Sequence, residues 1–574
     1  MSQLAPDWWK SAVVYQIYPR SFADANGDGI GDLQGIIDRL DHVAGLGVDV
    51  VWLSPIYPSP QADNGYDVSD YLGIDPIYGT IEDFQRLLRE VHALGMKLVM
   101  DLVFNHTSDA HPWFVASRSG RDDPKRDWYW WRPPRDGKAP GSPGAEPTNW
   151  GAAFSGPAWT LDPRTGEYYL GVFSPRQPDL NWENPQVRHA LYEVMRIWLD
   201  RGVDGFRLDV INHVSKDPRL PDGEPTVLGG SGDGSPWFVA GPRIHEFMQE
   251  MHREVVAPRR DPVLLIGEMP GCTVDEAARF TDPDRHELDM VFTFEHVQID
   301  HGATKWQPGT FDLRDLKASL DRWQTTLAQR GWNSLYLNNH DQPRAVSRFG
   351  DDGRYRVRSA KMLATVLHLH RGTPFVYQGE ELGMPNAPLT RVEDLVDVES
   401  RNQVARELAE GADPDEVVAR VGRFARDNAR TPMQWDDSQH ADFSSTEPWY
   451  PVLVEHETIN ARHARADPGS VYHHYRRLIE LRHTEATVVH GDFTMLLPED
   501  PDVYAYTRRL RDVELLVLGN FTGETVAVDL PQLAAWSDAE LLIDNLDVPD
   551  AATREPDRLR PWEARVLRRR RTPE

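Results

Sequence analysis

Short apolar runs rich in β-branched residues alternate along most of the chain with stretches of helical period. Eight runs predict strands: VVYQIYP from Val13, VDVVWLSP from Val48, KLVMDLVF from Lys97 and VDGFRLDV from Val203, then PVLLIGEM from Pro262, MVFTFEH from Met290, NSLYLNNH from Asn333 and TPFVYQGE from Thr373. Several are nearly continuous in apolar residues, as strands buried on both faces must be. Between them, IEDFQRLLREVHALG predicts a helix opened by Thr80 as N-cap, with Asp83 completing a variant capping box and Gly95 closing it. In PQVRHALYEVMRIWLDRG, Val187, Leu191, Val194 and Trp198 share one face and Pro185 stands near the start. Strand followed by helix, about eight times over, predicts an α/β fold, a (β/α)₈ TIM barrel.

Three regions break the alternation. Residues 106–184 are rich in Pro, Gly, Trp and Asp, which predicts a loop-rich domain inserted after the third strand. Residues 381–470 form a charged, helix-prone extension after the eighth strand. Beyond Gly491, VYAYTRRL, VELLVLGNF and ETVAVDL alternate with period two and predict a C-terminal antiparallel β-domain over 491–574. The barrel is thus divided between 1–105 and 185–490. The arginine run 568–571 reads as a solvated tail.

The charge balance narrows the function. A net charge of −28 argues against nucleic acid and against anionic membrane surfaces. No stretch reaches the ~20 apolar residues of a membrane span, and the opening MSQLAPDWWKSAVVYQ has no leader pattern, so a cytoplasmic protein is expected. A single cysteine, Cys272, excludes a disulfide framework and reads as a small buried apolar residue. The oligomeric state is left open between monomer and dimer.

Three acids stand at predicted strand ends: Asp209 in GFRLDV, Glu268 in LLIGEM and Asp341 in LNNHDQ. Arg207, His340, Asn105 and His106 fall at the same level. One acid at such a place is ordinary loop chemistry. Three with an arginine and histidines are not, because clustered carboxylates repel and folding gives no reason to gather them. A pair of acids driven to different protonation states is what cleavage of a glycosidic bond requires. Arg207, two residues before Asp209, shares its strand face and is expected to keep that carboxylate ionised.

A second constellation lies in DANGDGIGD. Asp24, Asn26, Asp28, Ile30 and Asp32 occupy alternate positions with Gly29 between, matching the first nine positions of an EF-hand-type loop. Gly35 stands where the twelfth-position Glu would be. Hard oxygen ligands predict structural Ca²⁺, with Mg²⁺ next, and no organic cofactor is expected.

In order along the chain, DLVFNH, GFRLDVINH, GEMPG and NNHDQPR resemble the four signature regions of the α-amylase superfamily of glycoside hydrolases. VWLSPIYPSP, QPDLNWENP and GTPFVYQGEELGM resemble its further signatures. Within the superfamily the chain is most similar to bacterial oligo-1,6-glucosidases, down to DNARTPMQWDD and GWNSLYLNNHDQPRAVSRFGDDG. The resemblance implies a retaining exo-acting α-glucosidase that releases terminal α-D-glucose from short oligosaccharides, with α-1,6 linkages favoured. It implies Asp209 as nucleophile, Glu268 as general acid and base, and Asp341 as a ligand of sugar hydroxyls. By the same similarity Asp63 and Tyr66 hold and stack the terminal sugar. His106, Gln177, Arg207, His340 and Arg430 are further substrate-site residues, with Arg430 paired to Asp63 at the pocket floor. A Val at 210 goes with α-1,6 preference in the resembled family, and that family carries a calcium in the Asp24 loop. The rival activities are α-1,4-glucosidase, trehalose-6-phosphate hydrolase, and sucrose-active or transglucosylating enzyme.

Overall fold

Each of the eight runs supplies one strand of a parallel sheet: β1 Val14–Ile17, β2 Val50–Leu53, β3 Lys97–Val103, β4 Gly205–Asp209, β5 Leu264–Glu268, β6 Met290–Phe292, β7 Ser334–Leu335 and β8 Thr373–Tyr377. The computed structural model describes residues 7–226, 231–546 and 554–571. The strands are ordered β6-β5-β4-β3-β2-β1-β8-β7. A parallel bridge between Val291 and Asn333 joins the two outer strands and closes the ring into a barrel.

Period-two alternation sorts the side chains. Val14, Val50, Trp52, Val99, Leu264, Ile266, Phe292 and Phe375 pack together as one cluster. Their neighbours along the strands, including Tyr15, Val51, Leu98, Phe206, Leu265 and Val376, belong to the larger core shared with the helices. The helix Ile81–Ala93 starts as predicted: Thr80 Oγ1 accepts from the Asp83 amide, and Asp83 accepts from the Thr80 amide. The helix Pro185–Asp200 buries Val187, Leu191, Val194 and Trp198.

The insertion after β3 is not purely loop. It contains a three-stranded antiparallel sheet of Trp131–Arg132, Glu167–Leu170 and Trp159–Asp162. Trp130, Trp150, Trp159 and Tyr168 give it a small core of its own. Beyond β8, helices Val398–Ala409 and Pro414–Gly422 pack around Val404, Val417, Val421 and Phe424.

The C-terminal sheet comprises β9 Asp492–Leu496, β10 Val503–Leu510, β11 Val513–Asn520, β12 Glu540–Asp544 and β13 Ala564–Arg570, ordered β9-β10-β11-β13-β12 with every pair antiparallel. The arginine run is therefore not a solvated tail: Arg568, Arg569 and Arg570 lie in β13. Arg568 meets Glu485 and Glu540, and Arg569 meets Glu514 while covering the Trp536 ring at 4.1 Å. The segment ETVAVDL contributes only Val526–Ala527, paired with Arg558–Leu559 outside the main sheet. No helix among the described residues is long and apolar enough to cross a membrane. The first six residues, part of the segment expected to lack a leader, lie outside the described residues.

Candidate active site

Arg207, Asp209 and Glu268 stand on the last turns of β4 and β5, at the rim of the barrel. The parallel register sets Asp101 of β3 directly beside Arg207 of β4. Arg207 is 1 % exposed and holds three carboxylates at once. Its Nη1 reaches Asp101 Oδ1 at 2.8 Å and Asp209 Oδ1 at 2.7 Å, and its Nη2 reaches Glu268 Oε1 at 2.5 Å. The amide of Val210 donates to the other Glu268 oxygen at 3.1 Å. Both acids at the strand ends therefore hang from one guanidinium.

One cation cannot offset three buried anions. Burial, followed by the influence of neighbouring carboxylates, pushes Asp209 well above the usual range even though Arg207 pulls it down. Burial likewise raises Asp101 to about 6. The guanidinium holds the three carboxyls together and opposes the rise that burial imposes on Asp209.

These groups face a cavity of about 640 Å³, within the range of small-ligand pockets. Asp209, Val210, Glu268, Asp341, Asp63, Tyr66 and His106 line it. Arg207, Gln177, His340 and Arg430 do not; they stand behind the wall. Gln177 Nε2 donates to Asp63 Oδ2 at 3.0 Å and lies 3.2 Å from His106 Nε2. His340 lies parallel to the Tyr66 ring, 5.3 Å between centroids at an angle of 8°, with Tyr18 also stacked on it. Its Nδ1 meets Gln16 at 2.8 Å and its Nε2 meets the Tyr66 hydroxyl at 2.7 Å, so both ring nitrogens are engaged by protein. Burial lowers His106 and His340 to about 3 each, leaving neutral imidazoles.

The inner end of the cavity corrects one expectation. Arg426, not Arg430, pairs with Asp63, at 2.9 Å. The Arg430 guanidinium is already taken by Asp341 and Asp397, each at 2.7 Å. Arg426 also meets Asp397 at 2.9 Å. Burial alone would raise Asp341, but the guanidinium groups of Arg426 and Arg430 hold it well below the carboxylate range. Asp63 has no such surplus of cations, and burial raises it to about 7 despite Arg426. Sequence reasoning missed Asp101, Arg426 and Asp397. Asp101 did leave a signal, being the one acidic residue in the otherwise apolar interior of the run KLVMDLV.

A stability prediction follows from Asp63. Between about pH 4 and 7 the folded state keeps a proton on this carboxyl that the unfolded chain has lost, so stability declines as pH rises through that window. Asp63→Asn removes the titration, and Arg426 keeps its Asp397 partner. Its melting temperature is expected to exceed wild type by a few degrees at pH 8 and to match it near pH 4, while activity is lost.

Val210, immediately after Asp209, has φ 36° and ψ 40°. That is the left-handed region, where a β-branched residue is strained by roughly 1–3 kcal/mol. The strain turns the chain sharply at the end of β4, and the Val210 amide there reaches Glu268.

In the Asp24 loop the oxygens serve the loop's own backbone. Asp24 accepts from the Gly27 and Gly29 amides, both at 2.7 Å, and from the Ser444 hydroxyl. Asn26 and Asp28 accept from the amides two residues on. Asp32 accepts from Ala25, Asn26 and Gly35 and caps the helix Leu33–Asp38. Gly29 has φ +88°, and a Cβ there would stand 2.4 Å from the Glu447 carbonyl, which accounts for the glycine. Among the described residues no three acidic, histidine or cysteine side chains converge as metal donors. Cys272 donates to the Thr273 carbonyl at 3.3 Å, and burial pushes its thiol far up, so it stays protonated.

A TIM barrel with paired acids at the strand ends, facing a cavity of small-ligand size, has the architecture of a glycoside hydrolase. The alpha-amylase catalytic-domain model matches residues 16–491, and the chain belongs to that family. It is 54% identical to an oligo-1,6-glucosidase of Parageobacillus thermoglucosidasius, over 98% of this chain and 99% of the relative. Among solved structures it resembles a trehalose-6-phosphate hydrolase of Bacillus licheniformis, with a TM-score of 0.91, 45% identity, and 98% and 99% of the two chains covered. An isomaltulose synthase of Erwinia rhapontici matches with a TM-score of 0.91 and 41% identity over 98% and 99%.

Proposed function

We propose that this protein is a retaining exo-α-glucosidase that removes terminal α-D-glucose from short oligosaccharides, with α-1,6 bonds favoured. The observation that carries the reading is the pair Asp209 and Glu268, suspended from one guanidinium above a pocket whose inner end holds the Asp63–Arg426 pair. Both carboxyls bind the same guanidinium, and the retaining mechanism requires them to stand about 5–5.5 Å apart. Asp209 attacks the anomeric carbon while Glu268 gives its proton to the leaving oxygen; the glycosidic bond breaks and a glucosyl ester forms. Glu268 then takes a proton from water, whose oxygen displaces Asp209 from the anomeric carbon. The ion pair at the inner end bars a longer chain from threading past, so only the terminal unit is removed. The relative at 54% identity, named oligo-1,6-glucosidase, supports the linkage.

Two measurements test this. NMR of fresh isomaltose digests is expected to show α-glucose as the first product, and β-glucose would overturn the mechanism. Specificity constants are expected to rank isomaltose above maltose, sucrose and trehalose 6-phosphate; trehalose 6-phosphate in first place would transfer the reading to the activity named for the Bacillus licheniformis structure.

Val210 lines the pocket next to Asp209. Val210→Ala is expected to shift the isomaltose-to-maltose ratio of specificity constants about tenfold towards maltose, the size of one hydrophobic contact. An unchanged ratio would remove Val210 as a determinant.

The Asp24 loop is assigned a structural Ca²⁺. Its donors are all oxygen, and those of Asp24, Asn26 and Asp28 that accept a single amide keep a second lone pair for an ion. Such an ion would stabilise the loop against the 444–447 segment and take no part in hydrolysis. Chelation is expected to lower the melting temperature by several degrees, with Ca²⁺ restoring it and Mg²⁺ restoring less. An unchanged melting temperature with no metal detected would remove the site.

A further inference from the structure

One arginine sets the hydrogen-bonding character of a wall of the catalytic pocket. Arg348 lies on the short helix Ala345–Phe349, just past Asp341, and its side chain is buried. The buried carboxylate of Asp300 grips it twice, at 3.0 Å to Nε and 2.6 Å to Nη2, and the Val297 carbonyl also accepts from Nη2. From that fixed position Nη1 donates to Gln342 Oε1 at 2.8 Å, and Nη2 stands 3.3 Å from His301 Nε2. Gln342 and His301 both line the cavity that Asp209 and Glu268 face. The His301 ring is held edge-to-face on Phe424, 4.9 Å between centroids.

A guanidinium has hydrogens to give and no lone pair to offer, so it takes up the acceptor atom of each neighbour. The Gln342 amide turns its oxygen to Arg348, which leaves the two hydrogens of Nε2 for other partners. Burial, and after it the Arg348 charge, lowers His301 to about 4, so its ring is neutral at pH 7 and carries one hydrogen. Because Nε2 accepts from Arg348, that hydrogen stands on Nδ1. Among the described residues no protein group accepts from Gln342 Nε2 or His301 Nδ1. Two neighbouring residues of the pocket wall thus offer donors alone.

Strand order tells which part of a substrate meets them. Glu268 ends β5, and in the proposed reaction it hands its proton to the leaving oxygen. Strands β6 and β7 follow β5 around the barrel, away from Asp209 on β4, and the loops after them carry His301 and Gln342. The terminal glucose belongs at the inner end, with Asp63 and Arg426. The donor wall therefore stands on the side where the leaving unit departs.

We propose that His301 and Gln342 are specificity-determining donors for the leaving sugar, with Arg348 as the positioning residue that fixes both. The inference rests on the α-glucosidase reading above. Such a wall favours a leaving group that brings hydroxyl and ring oxygens over one that brings a bare hydrocarbon ring.

The test compares specificity constants for isomaltose and for phenyl α-glucoside, whose leaving group has no oxygen besides the glycosidic one. Gln342→Leu and His301→Phe are each expected to lower the isomaltose-to-phenyl-glucoside ratio about fivefold, the scale of one neutral hydrogen bond. Reading the ratio cancels any general damage to folding or to the acids. Arg348→Lys keeps a cation for Asp300 but loses the planar fork. It is expected to lower the ratio in the wild-type background and to leave it unmoved in the Gln342→Leu/His301→Phe double variant. A lower melting temperature with an unchanged ratio would make Arg348 purely structural and overturn the proposal, as would equal ratios in wild type and the two single variants. Absence of glucose release from either substrate by the wild type would overturn the α-glucosidase reading as well, whereas turnover with an unmoved ratio overturns this inference alone.

Discussion

Asp209→Asn is expected to lower kcat on p-nitrophenyl α-glucoside by about 10⁴-fold or more, the scale of losing a covalent nucleophile. The amide nitrogen and oxygen fill the same space but cannot form the glucosyl ester. The folded state should not suffer. Burial already raises Asp209, so a neutral side chain there relieves a charge that Arg207 offsets only in part. The melting temperature at pH 7 should therefore equal or exceed wild type while turnover disappears. Glu268→Gln provides the contrast. It should retain far more activity on the aryl glucoside than on isomaltose, because a nitrophenolate leaves without a proton and a sugar alkoxide does not. Equal losses on the two substrates would take the acid role away from Glu268.

The second large effect is expected at Arg207→Gln. Asp101, Asp209 and Glu268 all lose their common cation, and each is nearly inaccessible to water. Removing one partner from a buried ionic cluster costs about 3–5 kcal/mol, because the remaining charges have nowhere to go. Urea unfolding at pH 7 should show that loss. The penalty should shrink as pH falls from 7 to 5, because Asp101, raised to about 6, takes up a proton and no longer needs the guanidinium. A penalty independent of pH would mean that Arg207 acts through packing rather than charge.

The eight strands and the acids Asp209 and Glu268 that end two of them were legible in the sequence for one reason: a buried parallel strand must be apolar on both faces, so any charged residue at its end stands out; Asp341, expected at a strand end too, lies in the loop beyond β7, which stops at Leu335. The same logic exposes Asp101, which interrupts an apolar run and is explained by Arg207 in register on the neighbouring strand, with the Tyr66 hydroxyl donating to its other oxygen. Which arginine meets Asp63 was not legible. Arg426 and Arg430 flank a short 3₁₀ turn, Arg426–Ala429, and four residues of such a turn decide which guanidinium reaches the pocket. The inserted sheet was hidden because its strands are two to four residues long, too short for a period to register. The terminal arginines looked like solvated charge because their partners Glu485, Glu514 and Glu540 are remote in sequence.

Val210 combines two burdens that ordinarily sit on different residues. It lines the pocket next to Asp209 and also endures a backbone conformation natural to glycine or asparagine. Trimming its side chain to broaden the choice of linkage also eases that backbone, so relaxed selectivity and greater thermal endurance should arrive together. A laboratory lineage selected only for heat resistance would then drift towards a less discriminating enzyme at this one position.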